Sequence, residues 1–444
     1  MSNLFIVDGE GYVMIKILNG YLVNPEKKQE GYANITINDE GIVVEIEEIS
    51  ELGSMEVKEN DEIRIIDATG CNVVPGLVDV HVHFRDPGFT HKEDIMTGAK
   101  SAAAGGFTDV VLMANTKPAV DNEDTLNYIL DKCKKTDINV YTCATITEDL
   151  KGKKLVDIEK FHKMGAIGFT DDGIPIMDEN ILREAMKITS KLGAPISLHE
   201  EDVTLIGENG INSDIAQRHF GLKGAPREAE ITLVKRDMQI AIEEKAILNI
   251  QHISTKEAVD IVRQAKNNGY DFIHAEATPH HFSITQEMLV EKGTLAKMNP
   301  PVRMEEDRIA IINGLVDGTI DMIATDHAPH SDEEKNVEIT KAPSGIIGLE
   351  TSLSLSITKL LKEGYLTISQ IVEKMSVNPA KLYGLDAGVI DIGRKADITI
   401  FNENETRVVD SSLSKSNNTP FLGEKLYGVV HYTICNGSIV YENK

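Results

Sequence analysis

Eight short apolar runs recur through the middle of this 444-residue chain, each separated from the next by polar and helical stretches. They read LVDVHVHF, DVVLMANT, VYTCATI, AIGFTDD, PISLHEE, ILNIQHIS, DFIHAEATPHH and IDMIATDHAPH. Between them, segments such as DTLNYILDKCKK, ENILREAMKITSKL and TKEAVDIVRQAKNN repeat apolar residues at the three- and four-residue spacing of an amphipathic helix. Alternating strands and helices call for a parallel sheet, and eight repeats predict an α/β architecture closed into a (β/α)8 TIM barrel. An open doubly wound sheet is the competing arrangement. It would spread the polar strand ends along a crevice rather than gather them around one mouth.

The flanks have a different texture. MIKILNGYLVN, YANITINDEG, IVVEIEEIS and IRIIDATG precede the repeats, and ADITIFNEN, VVHYTICNG and SIVYENK follow them. These are short strand patterns broken by Gly, Asn and Asp turn signals. They predict a small β-sandwich domain built from both chain termini, residues 1–73 and 385–444, around a barrel of residues 74–384. Met14 is an alternative start, which would leave Met1 to Tyr12 as an extension.

Polar side chains concentrate at the C-terminal ends of the eight runs, where a barrel builds its active site. His81, His83 and Arg85 close the first run, Asn115 the second, and Asp171 and Asp172 the fourth. His199, Glu200 and Glu201 close the fifth, His252 the sixth, His280 and His281 the seventh, and Asp326, His327 and His330 the eighth. Packing alone would scatter histidines over both strand ends and the helices, so a metal site is the favoured reading. Alternation along a strand puts Asp79, His81 and His83 on one face and Val78, Val80 and Val82 on the other.

Histidine and carboxylate without cysteine suits zinc or another divalent first-row metal. His81 and His83 are expected on one ion and His199 and His252 on a second, with Asp172 and Asp326 as the acids that bridge and complete the pair. Two such ions sharing a water produce hydroxide near neutral pH, the species that attacks carbonyls. Asp79 is expected to support the site by hydrogen bonding, and Asp172 is favoured over Asp171 as the bridge. Glu200 and Glu201 have two equal readings, support for the second metal or exposure to solvent. His280 and His281 are expected to shape the mouth.

Charge and cysteine usage restrict partners and compartment. The formal net charge of −26 argues against nucleic acid or an acidic membrane surface, since both require a cationic face. No apolar run approaches the roughly 20 residues that span a bilayer. The opening MSNLFIVDGEGYVMIK has no basic leader, and Cys71, Cys133, Cys143 and Cys435 are scattered without CxxC pairing. Both features predict a cytosolic protein with reduced thiols.

The motifs HVHFRDPG, MANTKP, GFTDDG, LHEED, QHIST, TPHH, KMNPP, ATDHAPH and APSGIIGLE occur in this order. Together they make the chain resemble the class I dihydroorotases of the amidohydrolase superfamily, from about residue 14 to the C-terminus. The resemblance implies reversible cyclisation of N-carbamoyl-L-aspartate to L-dihydroorotate plus water in pyrimidine biosynthesis, by a zinc-bound hydroxide. Carried over by motif, His81 and His83 would ligate the first zinc, His199 and His252 the second, and Asp172 would bridge. Asp326 would ligate the first zinc and act as general acid and base. His83, Arg85, Asn115, Asn299, His330, Ser344 and Gly345 would contact the substrate, with Arg85, Asn115 and His330 at its carboxylate and Asn299 at its ring.

Hydantoinases and allantoinases of this superfamily use a carboxylated lysine as the bridge, and the matching strand here, AIGFTDDG, has no lysine. That points toward the Asp-bridged group. The resemblance leaves a second copy of the chain and an aspartate carbamoyltransferase open as protein partners. It also leaves two other readings: a cyclic amidase for hydantoin or allantoin, and a non-catalytic scaffold, which ranks last because all six ligand positions are present. Because a carboxylate must lose oxygen on cyclisation, Asp326 should start protonated, so acid pH is expected to favour cyclisation and alkaline pH ring opening.

Overall fold

The computed structural model describes residues 14–50, 52 and 63–443. Five strands come first: β1 (Met14–Asn24), β2 (Gln29–Ile37), β3 (Val43–Glu48), β4 (Ile63–Asp67) and β5 (Asn72–Pro75). The proposed extension Met1 to Tyr12 lies outside the described residues. Three strands end the chain: β13 (Ile398–Val408), β14 (Lys425–Cys435) and β15 (Ser438–Glu442). Hydrogen bonding joins both ends in one eight-stranded sheet, ordered β15-β14-β13-β5-β1-β2-β3, with β4 also paired to β1. The link between the termini is β5, a short strand absent from the expectation, which pairs parallel with β1 and antiparallel with β13. Ile17, Ile35, Val43, Val73, Ile398 and Ile434 share a single buried core, so neither terminus buries its apolar face without the other.

The middle of the chain supplies β6 (Leu77–Val82), β7 (Phe107–Leu112) and β8 (Asn139–Thr142) in one parallel sheet. A second parallel sheet holds β9 (Ile196–Leu198), β10 (Leu248–Ile250), β11 (Ile273–Ala277) and β12 (Met322–Ile323). Parallel bridges from Phe169 to Ala144 and Ile196, and from Val82 to His327, join the two sheets at both seams. Eight segments therefore succeed one another in a ring. Helices with buried apolar stripes, such as Glu179–Leu192 and Lys256–Asn267, lie between successive strands.

Two expectations need correction. AIGFTDD is not a regular strand: its β-bridges to both neighbours are at Phe169, with further main-chain hydrogen bonds from Ile167 to Thr142 and between Ala144 and Gly168 and Thr170. Gly168 sits where a Cβ would lie 2.6 Å from the Tyr383 ring and 3.3 Å from Cys143 Sγ, so this segment is pressed against the aromatic side chain that fills the ring from below. The valines of β6 also do not share one environment. The register of β6 on β7 shifts between Asp79 and Val82. Val78 and Val80 pack with Tyr383, whereas Val82 joins the cluster of Phe84 and Ile95. A bulge displaces the strict alternation by which sequence reads a strand's faces.

Small residues let the terminal sheet approach the ring. Ala102, Ala103 and Ala104 are buried in the helix Ile95–Ala104, and Thr433 and Thr399 hydroxyls donate to the Ala103 and Gly106 carbonyls at 2.7 and 2.5 Å. All four cysteines are free and buried. No helix among the described residues is long and apolar enough to cross a membrane.

Gly168→Val should destabilise the fold by about 2 kcal/mol, because overpacking a filled interior forces neighbours off their rotamers. Thermal or denaturant unfolding measures it, and a midpoint equal to wild type would show that the space beside Tyr383 is not limiting.

Candidate functional site

The polar residues at the strand ends converge. His81, from β6, is fully buried, and its Nε2 lies 3.5 Å from both Asp172 Oδ1 and Asp326 Oδ1. His83 Nε2 lies 3.0 Å from Asp326 Oδ1 and 3.4 Å from Asp172 Oδ2. His252 Nε2 is 3.8 Å from Asp172 Oδ1 and 3.0 Å from His199 Nδ1. His81, His83 and Asp326 form one compact group of possible ligand atoms, and His81, Asp172 and His252 form another. His199 stands outside both groups, beside His252, with its Nε2 3.1 Å from Glu201 Oε2 and 3.3 Å from Asn299 Nδ2.

The groups fit a divalent metal. His81 Nδ1 faces the Glu276 carboxylate at 2.5 Å and donates its proton there, which turns Nε2 into the cluster with no hydrogen-bond partner, a position that would offer its lone pair to a metal displacing the Nε2 proton. His83 Nδ1 likewise donates to Asn115 Oδ1 at 3.0 Å. A carboxylate or amide behind the ring fixes the tautomer that ligation needs. The Nδ1 of His252 also lacks a partner. Burial works against the charge of Asp172, but His81, His252 and His83 hold it well below the ordinary carboxylate range. Asp326 is lowered against the same burial cost by the His83 hydrogen bond and by neighbouring imidazoles.

Three residues here take left-handed backbone conformations despite carrying side chains: Arg85 (φ 57°), His252 (φ 32°) and Asp326 (φ 49°). Each such residue costs on the order of 1–3 kcal/mol, and such strain gathers where surrounding structure forces a side chain into position.

The adjacent aspartates separate cleanly. Asp171 accepts from the main-chain N–H groups of Ile146 at 2.7 Å and Thr147 at 3.1 Å, and from the Thr147 hydroxyl, so it anchors a loop. Asp172 faces the cluster, where Asn115 Nδ2 donates to its Oδ2 at 3.1 Å. Asp79 accepts from Thr325 N–H at 3.1 and 3.2 Å and from His81 N–H at 3.1 Å, a supporting position outside both metal groups. Glu200 and Glu201 are both buried, which rules out exposure to solvent. His281 is tied to Thr278 and the Pro300 carbonyl, and His280 stacks on Phe421.

A cavity of about 400 Å³ opens over the cluster. His83, Arg85, Asn115, Asn299, Ser344 and Gly345 line it beside Asp172, His199, His252 and Asp326. His330 sits behind this wall, its Nε2 donating to the Ser344 carbonyl at 2.9 Å and lying 3.4 Å from Arg85 Nη2. Burial, with Arg85, Lys92 and Lys335 nearby, lowers its pKa and keeps the ring neutral.

Several residues escaped the sequence reading. Lys297 lines the cavity, and its Nζ donates to the Ile339 and Ala342 carbonyls. Lys335, buried among the Thr294, Lys297 and Pro343 carbonyls, is pushed down to about 7 by burial and by Lys297 and Arg85. Glu276 ends a buried chain: Asn249 Nδ2 donates to it at 2.8 Å and lies 3.3 Å from Ser197 Oγ, which is 2.9 Å from Tyr383 Oη. The available signal for Glu276 was a lone carboxylate inside an apolar strand. Lysines in the polar connections after the strands carry no such signal.

The chain matches a family model described as dihydro-orotase-like over residues 70–258 and one described as amidohydrolase family over residues 233–441. It is 53% identical over 429 residues to a dihydroorotase of Clostridioides difficile strain 630, covering 96% of this chain and 100% of that relative. A dihydroorotase of Streptococcus pneumoniae serotype 4 is 50% identical over 431 residues, with coverage of 97% and 100%. Among solved structures, the L-hydantoinase (dihydropyrimidinase) from Arthrobacter aurescens is similar, with a TM-score of 0.83 and 27% identity over 96% of each chain.

Glu276→Gln preserves size and removes the charge behind His81. Affinity for a divalent metal should fall about 10- to 100-fold, as expected when a ligand's hydrogen-bond partner is altered. Competition against a chelating dye reads this directly, and unchanged affinity would show that Glu276 does not tune His81.

Proposed function

The chain belongs to the dihydroorotase family, and on that premise we propose that it interconverts N-carbamoyl-L-aspartate and L-dihydroorotate plus water in de novo pyrimidine (UMP) biosynthesis, in the cytoplasm. The observation that carries the reading is one cavity shared by a His/Asp cluster and an edge made of Arg85, Asn299, Ser344 and Gly345. The same reading takes the ring as a (β/α)8 TIM barrel of residues 74–384 and the terminal sheet as its β-sandwich partner, residues 1–73 and 385–444. A homodimer and a complex with aspartate carbamoyltransferase are its expected assemblies, both measurable by sedimentation.

In this proposal His81, His83, Asp172, His199, His252 and Asp326 would hold up to two zinc ions, with Asp172 as the shared ligand. Bound there, zinc supplies Lewis acidity toward the ring carbonyl and lowers the pKa of the attacking water. Arg85 offers its planar fork of donors to the substrate carboxylate, a match of geometry as well as charge. Its Nε donates to the Pro329 carbonyl at 3.2 Å, which holds the guanidinium toward the cavity. Asn299 Oδ1 has no protein partner and is the acceptor for a ring N–H. Asn115 holds His83 and Asp172 together and faces the carboxylate end.

Asp326 carries the proton. In ring opening it enters ionised, takes a proton from the attacking water and delivers it to the departing ring nitrogen. In cyclisation it starts protonated, the ureido nitrogen attacks the carboxylate carbon and gives up a proton, and that proton together with the one from Asp326 lets the oxygen leave as water, with Asp326 ending ionised. Asp326 enters ring opening as the carboxylate, the form its surroundings favour.

Hydrolysis of L-dihydroorotate by the wild type and Asp326→Ala tests the reading, with a loss of at least about 100-fold expected in the variant. Comparable rates in the two proteins would sink the mechanism. The structural likeness to an L-hydantoinase favours a second reading, a hydantoin-cleaving cyclic amidase. Asp172, standing where a carboxylated lysine would serve that group, argues against it, and a higher kcat/KM on hydantoin than on dihydroorotate would install it instead.

The reaction also has a proton balance. N-carbamoyl-L-aspartate carries two carboxylates and dihydroorotate one, so cyclisation consumes a proton. Well above the ordinary carboxylate pKa of about 4, the equilibrium ratio of cyclic to open form should fall about tenfold per pH unit, or 1.36 kcal/mol. Ratios measured after equilibration with enzyme at several pH values check this, and a pH-independent ratio would mean a different reaction.

A further inference from the structure

Between β13 and β14 the chain leaves the terminal sheet and runs against the loops that follow the first and last ring strands. Ser416 Oγ donates to the Lys92 carbonyl at 2.7 Å, and Ser414 meets the buried Glu93 carboxylate. The tightest engagement is at Asn418, which is 1% exposed. Its Oδ1 accepts from His330 N–H at 3.0 Å, and its Nδ2 donates to the Ala328 carbonyl at 2.9 Å and the Gly345 carbonyl at 3.0 Å. Its own carbonyl accepts from Ile347 N–H at 3.1 Å.

An asparagine amide has two donors and one acceptor oxygen, and all are used here. Every bond ends on the segment between Ala328 and Ile347, whose two arms form one edge of the cavity. The fit is close. A Cβ on Gly345 would lie 2.8 Å from Ala328 Cβ and 2.9 Å from His330 Cδ2, so these arms are already in van der Waals contact and their spacing has little slack. At φ 147° Gly345 also takes a backbone conformation that other residues avoid.

We propose that Asn418 is a positioning residue for the substrate carboxylate: by tying Ala328, His330 and Gly345 to one amide, the terminal domain completes the binding edge of the ring. The inference rests on the functional reading that this edge, with Arg85, receives a carboxylate. The His/Asp cluster keeps its own ties to Glu276 and Asn115. Removing Asn418 therefore separates binding from chemistry. Asn418→Ala loses both donors and the acceptor. Asn418→Asp keeps an acceptor for His330 N–H but sets carboxylate oxygen against two carbonyls.

For Asn418→Ala, KM for L-dihydroorotate should rise about tenfold to 100-fold, the scale of a mispositioned hydrogen bond to a charged group, with kcat within about threefold of wild type. Metal content per chain should stay at the wild-type value, and deuterium uptake should rise in peptides covering 328–347 but not in those covering 79–83. Unchanged KM would overturn the proposal, as would a fall in kcat and metal content at constant KM, which would assign Asn418 to the cluster. If Asn418→Ala does not fold, the same measurements on Asn418→Asp decide. A wild type inactive on dihydroorotate refutes the functional reading instead, and the exchange pattern then decides the positioning role by itself.

Discussion

The site depends on the main-chain seam between the first and last ring strands. Val82 bridges His327, and His83 N–H donates to the His327 carbonyl at 2.9 Å. Through that seam His83 and Asp326, 243 positions apart in the chain, meet at 3.0 Å. A flexible chain would have to meet a closure entropy to bring such distant groups together, and would hold them only loosely. Hydrogen bonds between adjacent backbones fix the distance instead. Asp79 reinforces the seam from the side: burial raises its pKa to about 7, while Thr325 and His81 N–H groups hold its charged form in place.

Assembling so many ionisable groups in a dry interior is costly, and the structure distributes that cost. Three of the four imidazoles in the cluster have a partner that sets their orientation: Glu276 for His81, Asn115 for His83, Glu201 for His199. The Glu276 side continues through Asn249 and Ser197 to Tyr383, the residue that fills the ring from below. Packing beneath the site and orientation within it are thus one connected network. Strain at Arg85, His252 and Asp326 is tolerated because the ring around them is held by many independent contacts.

Charge is organised against the background. A chain with a net charge of −26 should repel an anion. At the cavity, however, Arg85 and Lys297 face inward, with Lys92 and Lys335 close behind. Lys297 and Lys335 are held by main-chain carbonyls, with Glu208 near the first and Glu334 near the second. Cationic side chains are thus gathered at the end of the cavity where Arg85 sits, with His330 behind the wall and Asn418 holding it in register.

How much was legible depends on the range of the interaction. Strand–helix alternation, the β texture of both flanks and the polar strand ends all follow from local periodicity, which the amino-acid sequence contains in full. The identities of His81, His83, Asp172, His199, His252 and Asp326 as one candidate cluster followed from those strand ends. Their mutual distances did not, because they are set by ring closure. The same limit explains the misreadings. The bulge that separates Val82 from Val78 and Val80 arises from pairing with β7, and the irregular fourth segment arises from contact with Tyr383. Neither has a local signature. Lys335, Glu276 and Asn418 act on residues far along the chain through hydrogen bonds that exist only after packing. The sequence by itself determined which chemistry the strand ends could carry; the tertiary structure alone decided which atoms meet, because those distances are imposed by backbone pairing and side-chain packing across hundreds of residues.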